Sequence, residues 1–124
     1  MPKLHRTFML PGLPPKELSP NQRLDRHVVA AAKAQARSDM IAVVREQGWF
    51  GPGAVYATLD ITFIATDRRR RDYDNLLAAC KSWIDGLVQA DVLQFDDTAH
   101  LKVFLDYRVD VDGEAMTRFE VRER

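Results

Sequence analysis

Val55, Ala57, Leu59, Ile61 and Phe63 alternate with Tyr56, Thr58, Asp60 and Thr62, a period of two that suits a half-buried β-strand. A dozen residues later the period changes. Leu76, Leu77, Cys80, Ile84, Leu87 and Val88 recur at helical spacing, which predicts a helix from Asp74 to about Ala90 with one apolar face. Between these two patterns lies Asp67-Arg68-Arg69-Arg70-Arg71-Asp72-Tyr73-Asp74-Asn75-Leu76, whose first half is too charged to be core. The chain must therefore make a strand, a charged surface loop and a helix in succession, and other elements have to cover the apolar side of both.

Those elements are readable. Leu4 to Leu10 is expected to be a first strand, stopped by Pro11-Gly12-Leu13-Pro14-Pro15 because proline lacks the amide a ladder needs. Ser19-Pro20-Asn21-Gln22 matches a capping box, so the first helix is expected to begin there. It continues through Val28, Ala32, Ala36, Met40, Val43 and Val44 to a C-terminal cap at Gly48. After the second helix, Asp91 to Asp97 reads as a turn, and Leu101 to Val109 alternates again as a third strand. Asp112-Gly113 is a hairpin signal, from which Ala115 to Arg122 is expected to return antiparallel. The order β-α-β-α-β-β places the chain in the α+β class, with a mixed four-stranded sheet and two helices packed on it.

With 124 residues the chain fits a single domain, 1–124, large enough for a real core. A hydrophobic content of 46% without any apolar run near the ~20 residues of a membrane span argues against a membrane protein. The N-terminus lacks the apolar core of a leader peptide, and one cysteine allows no internal disulfide, so a reducing, cytoplasmic location is expected. The 18 basic and 18 acidic residues cancel, which leaves local clustering to reveal any anionic partner.

The arginine run Arg68, Arg69, Arg70 and Arg71 is that cluster. Either it is a solvated loop, or its guanidinium forks hold phosphate oxygens. Beside it, Asp72 and Asp74, with Asp96 or Asp97, offer the oxygen ligands that a hard cation such as Mg²⁺ takes. The structural alternatives are helix caps for Asp72 and Asp74 and turn residues for Asp96 and Asp97. At 100° per residue, Lys81 at about 340° and Asp85 at about 20° share a stripe with Asp74 at 0° and lie opposite the core. Lys81 then either pairs with Asp85 at i, i+4 or neutralises charge on a scissile phosphate. His5, His27 and His100 show no metal-ligand spacing, although His27 and His100 are candidates for DNA contact. Cys80 is expected to be packed and inert, and Trp83 to pack in the core or against a subunit. Phe95, beside the acidic pair, is either core or a wedge against unstacked bases.

Asp67 to Leu76 resembles the basic run and Asp-x-Asp-Asn-Leu of the RusA family of Holliday-junction resolvases of bacteria and their phages. Pro14-Pro15 with Asn21 and Arg23 is similar to that family's N-terminal Pro-Pro and Asn-x-Arg loop, and Asp96-Asp97 to its second acidic motif. The resemblance implies a homodimeric crossover junction endodeoxyribonuclease whose paired sites make symmetric Mg²⁺-dependent nicks in a four-way DNA junction, in recombination and repair. It assigns Asp72, Asp74 and Asp97 as catalytic carboxylates with Asp96 as neighbour, and Arg68 to Arg71, Asn21 and Arg23 to DNA. That family places a lysine four residues after the Asp-x-Asp pair. Here Ala78 stands at that position, and Lys81 with Asp85 matches the family's Lys-x-x-x-Asp only across a three-residue insertion. The glutamine after the second acidic motif is replaced by Ala99-His100. A flap or fork nuclease, and a catalytically silent branched-DNA-binding regulatory module, are the alternative functions.

Overall fold

The alternating segment forms the strand β2, Ala57–Ala65, in the computed structural model, which describes residues 3–124. Met1 and Pro2, the start of the segment read as lacking a leader, lie outside the described residues. Around β2 the chain runs β1 (His5–Pro11), α1 (Arg26–Glu46), β2, α2 (Tyr73–Gln89), β3 (Leu101–Val109) and β4 (Met116–Glu123). The four strands form one mixed sheet in the order β1-β4-β2-β3, an α+β architecture with both helices on one face.

β2 and β3 pair in parallel, Ala57 with Leu101 through Ala65 with Val109, because α2 carries the chain back across the sheet between them. β4 runs antiparallel to both β1 and β2. The hairpin expected at Asp112-Gly113 therefore does not form. A turn is present, with Gly113 N donating to Asp110 O at 3.3 Å, but it delivers β4 past β2 into the slot beside β1. The reason lies in side-chain character. Thr117, Phe119 and Val121 of β4 are fully buried and belong in the middle of the sheet, whereas β3, carrying Lys102, Phe104, Asp106 and Arg108 in the open, is suited to its edge.

The helix-covered face buries Phe8, Leu59, Ile61, Phe63, Phe119 and Val121, and each fully buried phenylalanine contributes about 1.5–3 kcal/mol by removal from water. Leu76, Cys80, Trp83, Ile84 and Leu87 of α2 and Ala36, Met40 and Val44 of α1 complete this core. Trp83 lies edge-on to Phe119, with centroids 5.9 Å apart, and its Nε1 is a buried group without a hydrogen-bond partner. Where the helices meet, Gly86 is required. A Cβ there would stand 2.7 Å from Met40 Cβ and 2.9 Å from Arg37 O.

α1 begins at Arg26, not at Ser19. Ser19 to Gln22 closes its own reverse turn, with Gln22 N donating to Ser19 O at 3.1 Å and Asn21 N to the Ser19 hydroxyl at 3.4 Å. A capping box and a turn draw on the same residue types, and here Pro20 at the second position of the turn presets the backbone for it. Asp25 caps the helix instead, accepting from His27 N at 2.7 Å. The other end matches expectation. Gly48 at φ +77 lets Gly48 N reach Arg45 O and Trp49 N reach Val44 O, closing the last turn. No helix among the described residues is long and apolar enough to cross a membrane.

Candidate functional site

The loop joining β2 to α2 holds the arginine run, and its shape comes from one ion pair. Arg71 reaches back four residues to Asp67, donating from Nη1 to Oδ1 at 2.8 Å and from Nη2 to Oδ2 at 3.1 Å, while Nη1 also meets the Tyr107 hydroxyl at 2.9 Å. Asp67 Oδ1 accepts a further bond from Arg69 N at 2.9 Å. The Arg71 guanidinium, with the Arg69 amide, holds the Asp67 carboxyl at about 2, well below its usual value. Arg71 is raised in turn by the Asp67 carboxylate. With Arg71 so engaged, the exposed side chains of Arg68, Arg69 and Arg70 are the part of the run free to meet a ligand. Neither contact was read from the sequence, because i, i+4 spacing brings side chains together on a helix and Asp67 and Arg71 lie in a loop, while Tyr107 is 36 residues away.

Asp72 occupies the N-cap of α2 by backbone geometry, with its carbonyl accepting from Leu76 N at 3.1 Å, yet its side chain makes no capping bond. Its nearest cation is Arg70, at 3.9 Å. Asp74 lies in the first turn, exposed, and Oδ1 accepts from Asn75 N at 3.0 Å. Both carboxylates thus retain free oxygens at the positive end of the helix dipole.

About two turns further along the same helical stripe, Lys81 donates to Asp85 at 2.5 Å and to Asp96 at 2.7 Å. Partial burial works against its charge, but the two carboxylates outweigh it and raise the ammonium above its ordinary value. The i, i+4 pair read from the sequence is present, and the second partner brings the acidic loop onto the face of α2 that carries Asp74. Asp97 points elsewhere. It accepts from His100 Nδ1 at 2.7 Å and from Ala99 N at 2.9 Å, and the His100 bond holds its carboxyl below the usual range.

The N-terminal loop completes the surroundings. A cleft of about 510 Å³ lies between Pro14, Asn21 and Gln22 on one side and Arg69, Arg70, Arg71, Asp72 and Asn75 on the other. Asn21 therefore faces the arginine loop, while Arg23 is exposed and does not line this cleft. A second cleft of about 350 Å³ sets Lys33 of α1, which sequence reasoning missed, beside Lys81 and Asp85. Cys80 is buried, its thiol donating to Leu77 O at 3.3 Å and pushed up to about 12 by burial, as expected of a packed and inert residue. Phe95 is not core. Its ring is 43% exposed and stacks on His100.

The donor chemistry suits a hard cation at Asp72 and Asp74, where an open coordination sphere would leave positions for water and phosphate oxygens. Among the described residues no three His, Cys, Asp or Glu side chains converge on one point, and Asp96 and Asp97 are turned to Lys81 and His100.

No family model matches the chain. An uncharacterized protein of Xylella fastidiosa (strain Temecula1) is 39% identical over 87 residues, covering 68% of this chain and 56% of its own length. The chain thus spans about half the length of that relative.

Proposed function

We propose that the protein is a Mg²⁺-dependent, structure-specific endodeoxyribonuclease that resolves four-way (Holliday) DNA junctions by paired symmetric nicks, as its resemblance to the RusA family implies. The observation that carries this reading is the contact of Asp96 with Lys81, which sets one carboxylate of the second acidic motif against the α2 stripe that begins with Asp74, after a loop with three exposed arginines. Asp72 and Asp74 would hold the cation, which when bound would polarise the scissile phosphate and activate water. Arg69 and Arg70, which line the cleft opposite Asn21, would grip the backbone beside the scissile bond together with the exposed Arg68. Lys81, drawn from Asp85 and Asp96 when DNA arrives, offsets charge that develops on the phosphate. Hydrolysis leaves 5′-phosphate and 3′-hydroxyl ends. A homodimer would present two such sites to a junction that is itself nearly two-fold symmetric.

A second reading, a catalytically silent branched-DNA-binding module, is favoured by the fact that Lys81 and Asp96 already satisfy one another. The deciding experiment is Mg²⁺-dependent cleavage of a synthetic four-way junction, with flap and linear duplex substrates in parallel. Wild type is expected to nick the junction symmetrically, and Asp72→Asn or Asp74→Asn to bind it without cutting. Undiminished nicking by either variant sinks the assignment. Tight junction binding by wild type with no nicking selects the silent module, and preferential flap cutting selects a flap or fork nuclease.

A further inference from the structure

Beyond the α2 face, at the opposite end of β2 from the arginine loop, three rings are stacked, the outer two exposed and the middle one partly covered. Phe95 lies on His100 with centroids 4.4 Å apart and planes 30° from parallel, and His100 lies on Tyr56 at 5.1 Å and 21°. Tyr56 is 51% exposed and Phe95 43%. Neither joins the core. The stack is also held in place. Asp97 bonds His100 Nδ1, while Arg124 donates from its backbone to Tyr56 O and from Nη2 to His100 O, both at 2.9 Å.

The next row of the sheet is basic. The register sets His5 opposite Arg122, Arg122 opposite Thr58 and Thr58 opposite Lys102, so that Arg122 and Lys102 flank Thr58 across this end on the face turned from the helices. Glu120 answers His5 and Arg122, whereas Lys102 and Arg124 have no carboxylate partner among the described residues. Rigid, half-exposed rings beside unpaired cations are what an unpaired nucleic-acid strand needs, because bases stack on the rings and phosphates meet the cations.

We propose that the Phe95–His100–Tyr56 stack, flanked by Lys102 and Arg124, is a docking platform for single-stranded DNA. The proposal rests on the branched-DNA reading above. It separates strand capture from the arginine loop by the length of nine-residue β2, about 30 Å at ~3.3 Å per residue. An unpaired strand at a branch point would be held on the platform while a duplex arm lies along the arginines.

The test is fluorescence anisotropy with a labelled oligothymidylate of about twelve nucleotides, the matched oligouridylate, a duplex and a four-way junction. Wild type is expected to bind oligothymidylate. Phe95→Ala and Tyr56→Ala should each weaken that binding by roughly tenfold at unchanged melting temperature, with duplex affinity held within about twofold. Phe95→Trp should retain binding, and its emission should be quenched when the strand is added, a response that a purely structural ring would not give. Oligothymidylate affinity unaffected by Phe95→Ala in a folded variant overturns the platform. Junction binding without oligothymidylate binding overturns the platform and leaves the proposed function standing, whereas failure to bind any DNA overturns both. Tighter binding of oligouridylate than of oligothymidylate overturns the assignment to DNA.

Discussion

The two halves of the exposed α2 face treat charge in opposite ways. At its N-terminal end one arginine, Arg71, is clamped by Asp67 and Tyr107, and around that fixed point Arg68, Arg69, Arg70, Asp72 and Asp74 are left almost without partners. At the level of Lys81 every carboxylate is engaged, Asp85 and Asp96 by the lysine and Asp97 by His100. Exposed ion pairs contribute little to stability, about 0–1 kcal/mol each. The difference therefore concerns availability more than folding. Paired groups fix the positions of loops, and groups without partners keep their charge for a ligand.

The largest effect expected from this contrast is catalytic. If the protein is the nuclease proposed, Asp74→Asn should reduce junction nicking by more than about 10²-fold, because it would remove a ligand of the cation that the proposed reaction needs. Asp97→Asn should cost less than about tenfold, since that carboxylate already serves His100. Equal losses in single-turnover assays would break the distinction. Next comes a change that disturbs both ends alike. Gly86→Ala forces a methyl group against Met40 and the Arg37 carbonyl, and should destabilise the fold by about 1–3 kcal/mol in urea unfolding.

Smaller effects separate the arginines. Arg68→Ala, Arg69→Ala or Arg70→Ala should leave stability within about 0.5 kcal/mol while lowering the salt slope of junction binding by about one. Arg71→Ala should instead lower the melting temperature, because Asp67 and Tyr107 lose their shared partner. The smallest effect is a dependence on pH. The folded Asp67 carboxyl titrates at about 2, below its unfolded value of 3.8. Its stabilising contribution is thus fully present above about pH 4 and lost as pH falls towards 2. Melting curves of wild type and Asp67→Asn should converge over that interval, and a constant gap would remove the clamp from the account.

Much of this arrangement could be read along the chain. The alternation at Val55 to Phe63 and Leu101 to Val109 and the helical period from Leu76 to Val88 specify elements because each is a local pattern set by burial on one face. What local pattern cannot specify is partnership. The Asp112-Gly113 turn reverses the chain, but the strand that receives β4 is chosen by the burial of Thr117, Phe119 and Val121. Ser19 had the residues of a helix cap, and a competing turn claimed them. At the site, Lys81 with Asp85 was visible as an i, i+4 spacing. The contacts of Lys81 with Asp96, Arg71 with Tyr107 and Phe95 with His100 depend on how separate segments meet in space.

The placement of β4 between β1 and β2 also sets the order in which the protein can assemble during synthesis. β1 pairs with β4 alone, so although Gln47 donates to Thr7 O at 2.7 Å, its strand ladder closes only when Met116 to Arg122 have been made. Until then a nascent chain can form the parallel pair β2–β3 with α2 between them, but it must carry β1 unpaired and the central groove of the sheet open to solvent. Long-range closures of this kind slow folding and prolong the exposure of apolar strand surface, so the growing chain has its greatest need of chaperone protection just before its final strand emerges.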